Sequence, residues 1–335
     1  MPRAIILRNF QSPGDVVMLT AAVRDIHRQH PGRFLTDVRT SAPDLWANNP
    51  YLTPLDAANA ETIECHYPLI HRSNQEPWHF IHGFHRYLSD RLGIRLSPTE
   101  FRGDVHLTPA EKSWISQVQE LVGADVPFWI VVSGGKRDFT AKLWSVERLQ
   151  RVVDRFKAKV AFVQVGAAEH EHPPLRGAID LRGKTDLRQL IRLVYHAQGV
   201  LCPVTLVMHL AAAVEVKGGF PKNRPCVVVA GGREPPHWEA YPNHQFLHRV
   251  GTLSCCDDGG CWKSRVTPLG DGDEKDRPEN LCVDVVGALP RCMHDITVQD
   301  VTRAVELYFK GGVARYLRPG EWKRVAAVLR SSGDP

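Results

Sequence analysis

The sequence predicts an α/β protein: two Rossmann-like, doubly wound domains facing a cleft, with a Cys-rich metal-binding insertion near the C-terminus. Three observations carry this expectation. The chain has 335 residues, too many for one small core and suited to two domains of about 150 residues each. Strand, tight loop and helix recur along both halves, the cadence of parallel sheets. Five of the eight cysteines, Cys255, Cys256, Cys261, Cys282 and Cys292, fall within 38 residues.

The elements follow in order. Ala4–Arg8 is a short apolar run, then the turn formers Gln11-Ser-Pro-Gly-Asp15. Val16, Leu19, Ala22, Val23 and Ile26 keep helical spacing, predicting a helix over Val16–His30 that stops at Pro31-Gly32. Residues 33–120 carry weaker signals, with a helix expected over Trp78–Leu92. A second series begins with the apolar strand Val126–Val132, ending in Ser133-Gly134-Gly135-Lys136. A helix over Ser145–Phe156 has Ser145 as cap and Glu147 in its first turn. Strand Val160–Val165 closes at Gly166. Helix Asp186–Ala197, strand Gly199–Cys202, helix Leu206–Val214 and strand Cys226–Ala230 follow, the last ending in Gly231-Gly232. Helices are expected at Thr297–Phe309 and Glu321–Leu329. The implied division is 1–122, 123–310 with the cysteine segment 254–293 inside it, and a tail 311–335 returning to the first domain. No repeat of solenoid length is visible.

Composition narrows the class. Apolar residues are 43% and charged residues 24%, ordinary for a globular protein. The net charge of +5 suits a phosphate-bearing ligand and is too small to argue for nucleic acid. No apolar run approaches the roughly 20 residues of a membrane helix. The start MPRAIILRNF reads as a buried strand without signal-peptide features, so the expected compartment is the cytoplasm.

Several stretches then resemble one family. Ser12-Pro-Gly-Asp15 before a helix and Leu45-Trp-Ala-Asn-Asn-Pro50 resemble the N-terminal half of family 9 glycosyltransferases, the ADP-heptose heptosyltransferase-like enzymes. Lys142-Leu-Trp144 resembles that family's phosphate-binding lysine motif. Asp180-Leu-Arg-Gly-Lys-Thr-Asp-Leu-Arg-Gln-Leu190 and Met208-His-Leu-Ala-Ala-Ala213 resemble two more of its stretches, in the same order. The resemblance implies a GT-B fold and inverting transfer of a sugar from a nucleoside diphosphate, with ADP-heptose the first guess. One departure stands out. The family pattern Asp-[Ser/Thr]-Gly before the M-H-L-A-A-A helix is here Cys202-Pro-Val-Thr205-Leu, which lacks the acid and the glycine.

The candidate site follows from loops at strand ends, where α/β sheets bind ligands. Asp15 is the candidate base: an inverting transferase must deprotonate the acceptor hydroxyl, and the position matches the family's catalytic aspartate. Asp15 also suits a cap for the helix beginning at Val16. Lys142, with Trp144 beside it in the motif, is assigned to the donor diphosphate, where a cation stabilises the departing charge. Ser133, Gly134 and Gly166 end strands where small residues let a backbone approach phosphate or ribose. Thr205, Met208 and His209 open a helix whose free amides suit phosphate oxygens. Gly232 permits close approach and Arg233 suits phosphate. His66, His71, His79, His82 and His85 crowd the first half without ligand spacing and read as ordinary histidines.

The cysteine segment is rich in Gly, Asp and Pro and poor in apolar residues, so its thiols need a reason to be close. Four thiolates suit a structural Zn or Fe: Cys261, Cys282, Cys292 and one of Cys255 or Cys256. The segment resembles the finger of a branch related to autotransporter heptosyltransferases, where a cysteine-bound iron is described. It lies far in sequence from Asp15 and Lys142, so its metal is expected to support structure, and no catalytic metal is expected. Cys65, Cys202 and Cys226 read as core residues. The expected partners are a nucleotide-sugar donor, with ADP-sugar favoured, an acceptor among lipid, protein or nucleic acid, and a second copy of the chain in a homo-oligomer. The competing readings are a sugar-nucleotide-binding protein without turnover, supported by the altered 202–205 stretch, and a B-type epimerase, which needs further acid/base residues.

Overall fold

A computed structural model describes residues 1–66, 68–221 and 223–331. Strand β1 (Arg3–Asn9) buries Ile5, Ile6 and Leu7. Helix α1 (Pro13–Gln29) follows and begins three residues before the apolar spacing does. Ser12 is its N-cap and Pro13 fills the first turn, where a missing N–H removes nothing from the ladder. Asp15 therefore lies within the first turn and does not cap the helix. Strands β2 (Phe34–Thr40) and β3 (Glu61–Glu64) pair in parallel on either side of β1, giving the order β2-β1-β3. Helix α2 (Ile81–Leu92) ends on Gly93 at φ +64°, the left-handed cap that glycine supplies without strain. Two short helices, α3 (Pro109–Ser113) and α4 (Gln117–Val122), are capped by Thr108 and Ser116.

The second sheet comprises β4 (Phe128–Val131), β5 (Ala161–Gln164), β6 (Ala178–Asp180), β7 (Gly199–Pro203), β8 (Cys226–Gly231) and β9 (His244–His248). Its order β6-β5-β4-β7-β8-β9 is all parallel, and strand order reverses beside β4. That reversal is the topological switch point of a doubly wound sheet. The inner strands are continuous apolar runs because helices cover both faces. Along β4 the faces alternate: Phe128 and Ile130 join one core, Trp129 and Val131 the other.

Helices α5 (Val146–Arg155), α6 (Leu187–His196), α7 (Leu206–Ala213) and the short α8 (Pro236–Glu239) connect these strands. After the cysteine segment come α9 (Arg291–His294), α10 (Val298–Lys310) and α11 (Pro319–Ser331). Helix α11 packs on α4, and its Val325 and Leu329 enter the first core. Helices α1 and α7 pack together, turning the carboxyl ends of β1 and of the second sheet toward one space. No described helix is long and apolar enough to cross a membrane.

Candidate active site

A cavity of about 850 Å³ occupies that space. Its walls are the loops after β1, β4, β5, β6, β7 and β8, the carboxyl ends that the α/β rule assigns to ligands. Of the residues singled out from sequence, it brings together Asp15, Gly134, Lys142, Gly166, Thr205, His209 and Arg233. The floor is set by α1 against α7. A Cβ on Gly14 would stand 3.0 Å from Cδ2 of His209, so the helix turn that carries Asp15 rests directly on the His209 ring.

The remaining candidates lie behind this surface. Ser133 is buried and accepts a hydrogen bond from Gln164 while donating to the Pro173 carbonyl at 2.8 Å. Trp144 is buried, and its indole N–H donates to the Ile296 carbonyl. Met208 is fully buried, and its amide already bonds to the Thr205 carbonyl. The glycines, of which Gly134 and Gly166 line the cavity, also have a packing reason to be small. A Cβ on Gly134 would fall 1.9 Å from the Glu171 carbonyl oxygen, and one on Gly166 would fall 2.3 Å from the His172 ring. Their absent side chains let the loop after β5 fold onto the loop after β4, where Gly135 and Glu171 pair. At Gly232 a Cβ would meet Cys256 Sγ at 3.2 Å and Cys292 Cβ at 3.3 Å, so this glycine admits the cysteine segment.

Charge is arranged tightly. Lys142 Nζ sits 3.3 Å from Glu234 Oε1, and Arg233 pairs with the same oxygen. Burial alone would raise the Glu234 carboxyl, but the Lys142 and Arg233 charges outweigh it and hold the group below its ordinary value. Arg233 is itself buried between the rings of Phe139 and Trp262, each about 5.3 Å from its guanidinium. Its Nε donates to the Lys263 carbonyl, so it holds Glu234 in place while Lys142 remains the more open cation. His209 Nδ1 and the Tyr241 hydroxyl are 2.7 Å apart. Burial, and then the Lys142 charge, pull His209 down to about 3, so the ring is neutral at pH 7. Glu239 goes the other way: burial, the Glu234 charge and, more weakly, the Asp15 charge push its carboxyl well above the usual range. Adjacent carboxyl groups driven apart in this way are typical of sites that handle protons.

Glu234, Glu239, Phe139, Thr185 and Trp262 also line the cleft and were not legible as site residues. Glu239 lies 224 positions from Asp15 in a four-residue helix, and no spacing pattern links them. The signal available for Trp262 was its place directly after Cys261. It adopts φ +55°, an unusual conformation for a bulky residue.

The cysteine segment adjoins this site in space, although its distance in sequence suggested a separate structural role. The Ala141 amide donates to the Ser264 carbonyl at 3.0 Å, and the Val266 amide to Thr140 Oγ1 at 2.9 Å. Buried Arg265 reaches from the segment to Asp138 at 2.7 Å and is held within the segment by Asp271 at 2.8 Å. The loop bearing Lys142 is thus strapped to the segment on both sides of Phe139. On the opposite side, the Asn74 carboxamide donates to and accepts from Gly260, at 2.8 and 2.9 Å.

All eight cysteines are free. Cys65, Cys202 and Cys226 are buried, while Cys255, Cys261 and Cys282 are partly exposed. The Cys256 and Cys292 sulfurs both lie within 3.6 Å of one point beside Gly232. Burial and then the neighbouring Cys261, Cys282 and Cys255 thiols push Cys292 up to about 12, so the five gather in one neighbourhood. Among the described residues, no three His, Cys, Asp or Glu side chains are set as a closed metal site. Of the five histidines of the first half, His79 packs against Phe101 and Tyr241, and His85 bonds Asp25 at 2.8 Å. The side chain of His71 lies outside the described residues.

Two parallel sheets presenting strand ends to a shared cleft, with a carboxylate from one side and a lysine and helix start from the other, define a B-type glycosyltransferase. The family model for glycosyltransferase family 9 (heptosyltransferase) matches residues 99–247. Over that stretch the chain resembles the family, and it is a glycosyltransferase of GT-B fold. Solved structures agree on the fold. ADP-heptose LPS heptosyltransferase II of E. coli is 14% identical with a TM-score of 0.55, over 94% of this chain and 100% of its own. The iron-containing dodecameric glycosyltransferase TibC of enterotoxigenic E. coli is 15% identical with a TM-score of 0.60, over 92% and 77%. A family 9 glycosyltransferase of Veillonella parvula is 14% identical with a TM-score of 0.54, over 74% and 86%. A comparison with curated protein sequences gave no match.

Proposed function

We propose that the protein is an inverting glycosyltransferase that moves a sugar, heptose from ADP-heptose as first choice, to a hydroxyl acceptor. The observation that carries this reading is the meeting of Asp15 with Lys142, Thr205 and His209 in one cleft. Asp15 takes the proton of the acceptor hydroxyl as its oxygen attacks the anomeric carbon. The bond from that carbon to the diphosphate breaks, and the nucleoside diphosphate leaves with its charge. Lys142, Thr205 and the first amides of α7 receive that charge. The neutral His209 ring packs under Gly14 and fixes the turn that carries Asp15. Support for an ADP-sugar comes from TibC, a fold relative solved with ADP-D-β-D-heptose.

The proposal extends to organisation. Residues 1–122 form the acceptor side, 123–310 the donor side, and 311–335 a tail that returns to the first domain. The compartment is the cytoplasm. The cysteine segment holds one Zn or Fe through Cys261, Cys282, Cys292 and one of Cys255 or Cys256, a reading supported by the gathered free thiols and by the iron-containing TibC. The metal would tie the segment's turns together. TibC is dodecameric, and we extend to this chain the expectation of a homo-oligomer.

The test is a thermal-shift panel of ADP-, UDP-, GDP- and CMP-sugars. A ligand at 100 times its Kd stabilises by about 2.7 kcal/mol. An ADP-sugar should raise the Tm most. No shift with any sugar nucleotide would overturn the reading.

A further inference from the structure

Two carboxyl groups in the cleft have no part in the reaction outlined above. Glu234 and Glu239 line the cavity and are 3% and 5% exposed. Each leaves its Oε2 without a hydrogen-bond partner. A buried polar atom left unpaired is costly, and such groups in folded proteins call for an explanation. Glu234 spends its other oxygen on Lys142 and Arg233. Glu239 stands 3.7 Å from His209 Nε2, beyond a hydrogen bond, and the same His209 ring lies against Gly14, the residue before Asp15. The pair therefore stands between the cation assigned to the diphosphate and the carboxylate assigned to the acceptor. In a bound donor, what lies between diphosphate and acceptor is the sugar, and a sugar offers hydroxyl groups. Carboxyl oxygens are strong partners for hydroxyl donors. The stretch Pro203–Thr205, which also borders the cleft, contains no acid to serve instead.

We infer that Glu239, together with Glu234, binds hydroxyl groups of the sugar being transferred. The inference rests on the sugar-nucleotide reading above and assigns the sugar-recognising side of the same cleft. A divalent cation is the other ligand that paired carboxylates attract. Against it, Lys142 and Arg233 already neutralise Glu234, and no metal-holding group of three is found among the described residues.

The experiment measures Kd for ADP and for ADP-heptose with wild type, Glu239→Gln and Glu234→Gln. The ratio of the two constants isolates the sugar, because any change at Lys142 acts on both ligands. Glu239→Gln should shift the ratio against ADP-heptose about tenfold, the worth of one buried hydrogen bond whose donor and acceptor roles the carboxamide does not reproduce. Glu234→Gln should shift it in the same direction. The wild-type protein supplies a second arm that needs no variant to fold: among singly deoxygenated ADP-heptoses, at least one should bind about tenfold more weakly. Unchanged ratios in a folded variant, or deoxy analogues that all bind like the parent, would overturn the inference while leaving the donor assignment intact. A wild-type protein that binds no sugar nucleotide overturns both.

Discussion

Replacing Lys142 with alanine tests the donor side most directly. The ammonium is 3.3 Å from Glu234 Oε1 and lies over the Phe139 ring at 5.2 Å, with its side chain 23% exposed. Two effects need separating. The first is stability. Stranding a buried charge costs about 3–5 kcal/mol, but Glu234 keeps Arg233, so the loss should stay near 1 kcal/mol. The second is binding. A hydrogen bond from a charged group to phosphate is worth about 1.5–3 kcal/mol, which is about 10- to 150-fold in affinity. The charge on the diphosphate grows as its bond to the sugar breaks, so the lysine matters more in the transition state than in the ground state. Calorimetric titration with ADP-heptose should show the affinity loss, and single-turnover transfer should fall by a larger factor. Lys142→Arg should recover part of both. Affinity within twofold of wild type together with unchanged turnover would refute the argument and leave Lys142 as a partner of Glu234 alone.

Three other outcomes are expected. Asp15→Ala should slow transfer by about 10²–10⁴-fold while the Kd for the donor stays near wild type; transfer at the wild-type rate would remove Asp15 from the chemistry. Three buried histidines are held neutral, mainly by burial: His79 and His209 are pulled down to about 3 and His196 to about 4. Below pH 6.5 the unfolded chain binds protons that these rings refuse, so stability present at pH 7–8 is lost as pH falls toward 4, by up to about 1.4 kcal/mol per pH unit for each ring. Urea titrations from pH 7.5 to 4.5 measure this, and a flat profile would contradict it. Elemental analysis of protein purified without chelator should find about one Zn or Fe per chain, as structural sites of this kind hold; Cys282→Ser should lose it and, because the segment straps the Lys142 loop, weaken donor binding as well.

The fold was legible where local chemistry and tertiary packing agree. Continuous apolar runs such as Phe128–Val131 and Cys226–Gly231 are too short for helices and read as strands covered on both faces, and Gly134 and Gly231-Gly232 mark the turns to the ligand side. Helix starts were legible where a hydroxyl or carboxyl caps them, as Ser145 and Asp186 do. They were misplaced where the first turn is not apolar. At α1 the periodic residues begin at Val16, yet Pro13 and Gly14 already follow helical geometry because Gly14 must seat on His209. Strands β2 and β3 were faint because β3 is short and alternates exposed with buried positions.

The site was legible on one side only, and the reason is geometric. Asp15, Thr205 and His209 sit at the cap or in the first turn of a helix that follows a strand, while Lys142 lies three residues before the Ser145 cap and was singled out by its motif with Trp144. Glu234 and Glu239 gain their character from three dimensions: burial, a pair of cations on one, and the charges of Glu234 and Asp15 on the other. The glycines show the same limit. Gly134, Gly166 and Gly232 were read as positions that let the backbone approach phosphate or ribose, and the structure shows a packing demand there as well, from Glu171, His172 and the Cys256 and Cys292 sulfurs. The last case has a consequence for the cysteine segment. It has too few apolar side chains to order itself by burial, and it ends against β8 through a glycine that admits two of its sulfurs. Its Arg265 and Ser264 hold Asp138 and Ala141, four and one residues before Lys142. Loss of order in the segment should therefore loosen the loop that carries Lys142. A segment that looked like a remote staple is a wall of the cleft, and its integrity and donor affinity should be lost together.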